Sequence, residues 1–214
     1  MDVYGYFRSS AAFRVRIALN LKGLSPDLHF IHLRKGDQNT PAYRAINPQG
    51  LIPALVDDDG TCLTQSLAII EYLDERHPHP PLLPADPAAR ARVRAIALAI
   101  ACDIHPLNNL KVLNHLRDAF GIDEAGRQRW YAHWIAEGLT AVESLLAASP
   151  DTGPFCHGAS PTIADICLVP QVFNAQRMEC PLDAYPTIRA IVERCRALPA
   201  FHNAEPAEQP DAEP

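Results

Sequence analysis

Long apolar runs are missing from this 214-residue chain. No segment reaches the ~18 uninterrupted apolar residues that a membrane-spanning helix needs. A leader pattern is missing too: Arg8, Arg14 and Arg16 interrupt the first apolar stretch, and no small-residue cleavage site follows it. The expectation is a cytoplasmic protein with no membrane partner. The six cysteines (Cys62, Cys102, Cys156, Cys167, Cys180, Cys195) form no CxxC pair and no metal-like spacing. That leaves no basis for a metal site and predicts buried, reduced thiols. A basic excess is also absent, with 19 Lys and Arg against 25 Asp and Glu and a net charge of -6. This argues against nucleic acid as the main partner. It leaves room for a small anionic ligand in a locally basic pocket. No internal repeat is visible.

Apolar residues make up 48% of the chain, which is a globular composition. The length allows one large domain or two modest ones. Residues 2–7 form a short β-prone run, and 11–21 read as a helix stopped by Gly23. Residues 29–33 are a second strand candidate, giving a β-α-β unit. A polar loop and a helical turn at 41–46 come next. A strand then opens at Pro53, a turn of Asp57, Asp58, Asp59 and Gly60 follows, and residues 61–64 make a second strand. Residues 65–73 are an amphipathic helix. The proline-rich stretch 77–84 cannot be helical and reads as an interdomain linker. Beyond it the pattern is helical: 88–116 with a break at Pro106, 123–148 with Trp130, Trp134, Leu139 and Leu145 as core, 162–177, and 186–196. The tail after about 203 reads as frayed or disordered.

Four local features bear on chemistry. Ser9 and Ser10 stand at a strand-to-helix turn, where free N–H groups and the helix dipole favour an anion such as a thiolate. Either serine is equally a simple N-cap. Ile52-Pro53 precedes a strand; a cis bond there would turn the Ile52 backbone toward a peptide-like ligand, whereas a trans proline is also tolerated at a strand start. Gln65-Ser66 open a helix where a carboxylate can dock, or where a cap is all that is needed. Thr162 and Asp165 fit a capping box and read as structural.

In this order the features are more specific than any one alone. A βαβ–ββα unit with a proline before its third strand and Gln65-Ser66 at its last helix resembles a thioredoxin-like glutathione-binding domain. The helical region behind it makes the chain similar to cytosolic glutathione transferases. The run Arg8-Ser9-Ser10-Ala11-Ala12-Phe13-Arg14-Val15-Arg16 resembles the zeta class, as do Asn47-Pro48, Ile52-Pro53, the helix at 65–73, Leu82-Leu83-Pro84 and the segment 164–171. The resemblance spans roughly residues 3–201.

It implies an α+β thioredoxin-like domain over 1–84, followed by an all-α domain over 85–214. It implies glutathione as cofactor, held by Ser9, Ser10, Gln38, the Ile52 backbone beside Pro53, Gln65 and Ser66, with His105 and Asn109 from the helical domain. It implies that Arg8 and Arg177 face a second substrate, a small dicarboxylic keto acid. Lys111 stands where the maleylpyruvate branch can carry an arginine. The activity implied is cis–trans isomerisation of maleylpyruvate or maleylacetoacetate by a homodimer. Conjugation or dehalogenation of small α-haloacids is the alternative enzyme reading, and a non-catalytic binding protein is the third. One departure stands out: many zeta members have Ser-Ser-Cys at the first turn, and Ala11 replaces the cysteine here.

Overall fold

A computed structural model describes residues 1–213. Two compact units divide them. The first contains residues 1–82 together with 196–213, and the second contains 83–195.

In the first unit the strands are β1 (Asp2–Gly5), β2 (Asp27–Phe30), β3 (Ala54–Val56) and β4 (Cys62–Thr64). They form one sheet in the order β2-β1-β3-β4. β1 runs parallel to β2 and antiparallel to β3, with Val3 opposite both Leu28 and Leu55. β4 closes the meander against β3. The parallel pair needs a crossover, and α1 (Ser10–Lys22) supplies it. Gly23 ends α1 in the left-handed region at φ 66, and the Leu24 N–H bonds back to the Leu19 carbonyl. After the short α2 (Pro41–Ile46), α3 (Ser66–Arg76) packs on α1. Phe13, Ile17, Leu55, Ile69, Ile70 and Leu73 are buried between sheet and helices, each worth about 1.5–3 kcal/mol of transfer free energy. These elements follow the order of the sequence pattern, although β1 stops at Gly5 where 2–7 was expected and β2 spans 27–30 where 29–33 was expected.

The proline-rich stretch is non-helical, as its composition requires. It is nonetheless pinned. Lys22 Nζ donates to Asp74 at 2.6 Å and to the carbonyls of His77 and Pro80, and Asp74 also accepts from the Leu82 N–H.

Two expectations fail in this unit. The division falls after Leu82, and residues 196–213 belong to the first unit and not to the helical one. Nor is the tail frayed. α9 (Pro199–His202) packs on α1, and a 3-10 turn at Pro206–Glu208 leads on to Asp211 and Glu213, which both bond into the first unit. A polar composition predicts disorder only when no partner offers fixed donors, and this tail meets several.

The second unit is helical. α4 (Pro87–Leu98) runs into a π-helical stretch, Ala99–Ile104, and a 3-10 turn, His105–Asn108, before α5 (Leu110–Phe120). By length and composition alone the run 87–120 is apolar enough to cross a membrane. Here it is broken by the wide turn and by Pro106, and its apolar face packs α4 on α7 (Ile163–Arg177). The core face of α6 (Glu124–Ala147) is Tyr131, Ile135, Leu139, Val142 and Leu146. Of the four residues expected there, only Leu139 is fully buried; Trp130 and Trp134 are half-buried and Leu145 is exposed. The stripe is turned by one residue, because Tyr131 is the aromatic that the core accepts. Thr162 and Asp165 form the expected capping box, and Asp165 also accepts from the Cys156 N–H. α8 (Pro186–Arg196) completes the helices of this region. All six cysteines are free, but Cys62 and Cys102 are exposed, so the expectation of buried thiols holds for four.

Candidate active-site residues in two units

Ser9 is the N-cap of α1, and its Oγ accepts from the Ala12 N–H at 3.2 Å. Capping uses a lone pair and leaves the hydroxyl hydrogen available to donate. N-cap and thiolate donor are therefore compatible roles for one serine. Ser10 follows as the buried first residue of α1. Arg8 lies half-buried just before them, with its guanidinium 5.0 Å from the Phe7 ring centroid. No carboxylate lies within 4.0 Å of it among the described residues.

The start of α3 is arranged differently. Gln65 occupies the N-cap at φ 70, ψ 119, a region L-residues rarely adopt, and its side chain makes no capping bond. Instead Gln65 Nε2 donates to Gln49 Oε1 at 2.9 Å. The first-turn N–H groups of α3 thus keep their donor capacity. Ser66 is buried, and its Oγ accepts from Arg14 Nη1 at 3.3 Å. With that bond made, the Ser66 hydroxyl is a donor too. Arg14 is itself only 1% exposed, so a buried positive charge stands behind this helix end.

Two further groups complete this unit. The Ile52-Pro53 bond is cis. The ladder between β1 and β3 stops at Ala54, and no turn or loop hydrogen bond takes the Ile52 N–H or C=O among the described residues. Gln38 lies in a short 3-10 turn, and its Oε1 is buried without a partner.

In the helical unit, His105 opens the 3-10 turn and Asn109 caps α5, its Oδ1 accepting from the Lys111 N–H at 2.9 Å. The Asn109 carboxamide NH2 is left to donate. Lys111 is exposed on the first turn of α5. α6 fixes this corner: Trp130 Nε1 donates to the Leu107 carbonyl and Asn108 Nδ2 to the Tyr131 carbonyl. Gly138 permits the close approach, since a Cβ there would lie 2.2 Å from Ile104 Cγ1. Arg177 is exposed at the end of α7 and bonds toward the Tyr131 hydroxyl. Burial pushes that hydroxyl up to about 12, and the Arg177 charge opposes the shift.

The pattern of the glutathione S-transferase N-terminal domain matches residues 8–76, and that of the C-terminal domain matches 124–198. The chain belongs to the glutathione transferase family. It is 49% identical to a maleylacetoacetate isomerase of Pseudomonas aeruginosa, covering 99% of this chain and 98% of the relative. It is 48% identical to a maleylpyruvate isomerase of a Ralstonia species, covering 99% and 100%. Among solved structures, a holo maleylpyruvate isomerase described as a zeta-class bacterial transferase superposes with a TM-score of 0.97 over the whole of both chains, at 48% identity. A maleylacetoacetate isomerase from Methylobacterium extorquens AM1, solved with malonate and glutathione, also gives 0.97 at 43% identity, again over both whole chains.

For this transferase, the residues of the first unit fit glutathione. An unpartnered buried acceptor at Gln38, an unladdered backbone at Ile52 and an uncapped helix end backed by Arg14 suit a γ-glutamyl peptide with terminal carboxylates. Sequence reasoning missed Arg14, Gln49 and Tyr131. Arg14 carried a signal: it stands three residues after Ala11 and four before Ala18, on the apolar stripe of α1. Gln49 and Tyr131 carried none, because their partners lie 16 and 46 positions away in sequence.

Proposed function

We propose that the chain is a glutathione-dependent cis–trans isomerase of maleylpyruvate or maleylacetoacetate, acting as a cytoplasmic homodimer. The observation that carries this reading is Ser9, whose oxygen is spent on the Ala12 N–H and whose hydrogen is left for a thiolate, in a turn where Ala11 leaves no protein thiol.

When bound, glutathione would supply a thiolate nucleophile for reversible addition to the cis double bond, the chemistry that allows rotation to the trans isomer. Ser9 donates its hydroxyl hydrogen to the sulfur, and the N-terminus of α1 adds its partial positive charge. Together they favour the thiolate over the thiol, whose ordinary pKa is ~8.5. Ser10 contributes a first-turn backbone N–H at the same helix end. Ser66 and the α3 N-terminus hold a carboxylate of the cofactor, Gln65 and Gln38 orient its amide and amine groups, and Ile52 pairs with its peptide backbone beside Pro53. His105 and Asn109 are contributed by the helical unit, Asn109 through the carboxamide NH2 that its cap leaves over.

The substrate is a dianion. Arg8 takes one carboxylate, for which a planar guanidinium is the best-matched side chain. Arg177 and Lys111, in the helical unit, are the cations expected for the other carboxylate. Negative charge developing on the ketone oxygen is stabilised by these cations.

The test is direct. Protein, glutathione and maleylpyruvate or maleylacetoacetate are mixed, and formation of the fumaryl isomer is followed. No glutathione-dependent rate refutes the isomerase; turnover of dichloroacetate in its place would make it a dehalogenating transferase. Arg8→Ala and Arg177→Ala should each lower kcat/KM about 100-fold, the loss expected for a charge-assisted bidentate contact. Arg189→Ala, on the exposed face of α8, should leave it unchanged.

A further inference from the structure

The residue before Arg8 is held through both of its backbone polar groups by charged side chains, and one of them comes from the other end of the sequence. The Phe7 N–H donates to Asp211 Oδ2 at 3.0 Å, across 204 residues. The Phe7 carbonyl accepts from Arg16 Nη2 at 3.1 Å. Arg16 also reaches the Tyr6 carbonyl through Nη1 at 3.5 Å and the Ala204 carbonyl through Nε at 3.0 Å. One guanidinium in α1 therefore binds the turn and the tail together. Burial pushes Arg16 down to about 10, and the Asp211 charge opposes that shift. Residues 6–9 belong to neither β1 nor α1, so these bonds replace the ladder that a regular element would supply.

The tail is anchored on both sides of Asp211. Asn20 Nδ2 donates to the Ala200 carbonyl at 2.9 Å, and Gln209 Nε2 donates to the carbonyls of Asn203 and Glu205, each at 2.9 Å. Beyond Asp211, Glu213 bonds His32 Nε2 at 2.7 Å and lies 3.9 Å from Arg34 Nη1. The charges of Glu213, Arg8, Arg34 and Asp211 all reach the Tyr6 hydroxyl, which places Arg8 in the same electrostatic neighbourhood as the tail acids.

We propose that Asp211 is a positioning residue for the isomerase site: by fixing the Phe7 N–H while Arg16 fixes the Phe7 carbonyl, it sets where Arg8 and Ser9 stand. The proposal rests on the functional reading above. Asp211 is assigned no contact with cofactor or substrate. It acts through the Tyr6–Phe7 peptide while Arg16 holds the Phe7–Arg8 peptide, with the tail as a brace across the turn. A charged acceptor makes a stronger bond to a backbone N–H than a neutral one. The glutathione-holding residues Gln38, Ile52, Gln65 and Ser66 are outside its direct reach, so the brace affects sulfur and keto acid more than cofactor affinity.

Asp211→Ala in the full chain removes the acceptor, and Asp211→Asn keeps a neutral one. Asp211→Ala should lower kcat/KM for the keto acid about tenfold and move the pKa of bound glutathione, read by thiolate absorbance, toward its free value. The calorimetric Kd for glutathione should change less than twofold, and Asp211→Asn should recover most of the loss. Unchanged kinetics and thiol pKa in Asp211→Ala overturn the proposal. So does an equal fall in glutathione affinity that Asp211→Asn fails to rescue, since that marks general destabilisation. Amide hydrogen exchange at Phe7, Arg8 and Ser9 reads the brace without turnover. Faster exchange confined to this turn in Asp211→Ala supports it even if no isomerase activity is found, and exchange at the wild-type rate refutes it.

Discussion

Two helix ends in the first unit start from similar sequence and are put to different use. α1 begins with Ser9-Ser10 and is capped: the Ser9 oxygen takes the Ala12 N–H, and the turn before it is clamped by Arg16 and Asp211. α3 begins with Gln65-Ser66 and is not capped by a side chain: Gln65 sits at φ 70 and turns its amide to Gln49, while Ser66 accepts from a buried arginine. A thiolate is a small charge that must be placed accurately, and a rigid capped turn does that. A carboxylate can be met by several loose donors at once, and an uncapped helix end backed by a cation supplies them. The strain therefore lies at the end proposed for the carboxylate, and the rigidity at the end proposed for the sulfur.

The contrast can be tested at each end. Ser9→Ala removes cap and thiolate donor together. It should cost 100-fold or more in kcat/KM, about what loss of one preorganised donor costs, and about 1 kcal/mol of stability from the cap. Ser9→Thr should restore both. If Ser9→Ala keeps its activity, the sulfur is served by another group and the contrast fails.

At α3 the two effects should have opposite signs. Gln65→Gly relieves the positive φ and should raise unfolding stability by about 1 kcal/mol in denaturant titrations. The same change should weaken glutathione binding about tenfold, because the amide donor is lost. A variant that is more stable and binds equally well would show that the strained backbone serves no ligand.

The smallest effect belongs to the tail. The His32 hydrogen bond holds the Glu213 carboxyl below its ordinary value. A carboxyl with a lowered folded-state pKa contributes stability above its unfolded pKa and loses it as pH falls through the folded one. Glu213→Gln should therefore lower the urea midpoint slightly at pH 7, and the gap from wild type should close on acidification below about 4.5. A gap that persists in acid would mean that the Glu213 charge does not hold the tail.

Much of the fold was legible in sequence because its signals are local. Gly23 stops α1, Pro106 breaks the long helical run, Thr162 and Asp165 box the start of α7, and the prolines at 78–84 forbid helix. Each acts through its own φ, its own missing donor or a partner three residues away. The serine pairs and the Ile52-Pro53 step were legible as candidates for the same reason. What failed was non-local. Leu145 was expected in the core, and Leu146 is buried there instead, because neighbouring helices choose which edge of an apolar stripe to cover.

By itself, then, the sequence determined where elements start and stop, which turns could serve an anion, and that no protein thiol stands at the first turn. Tertiary structure decided which of the two serine-bearing turns is capped, that Arg14 lies behind Ser66, and that a tail reading as disordered reaches back to Phe7. The physical reason is range. Caps, prolines and glycines act within one helical turn, whereas a buried charge or a docked tail depends on donors brought together from positions 52 or 204 residues apart.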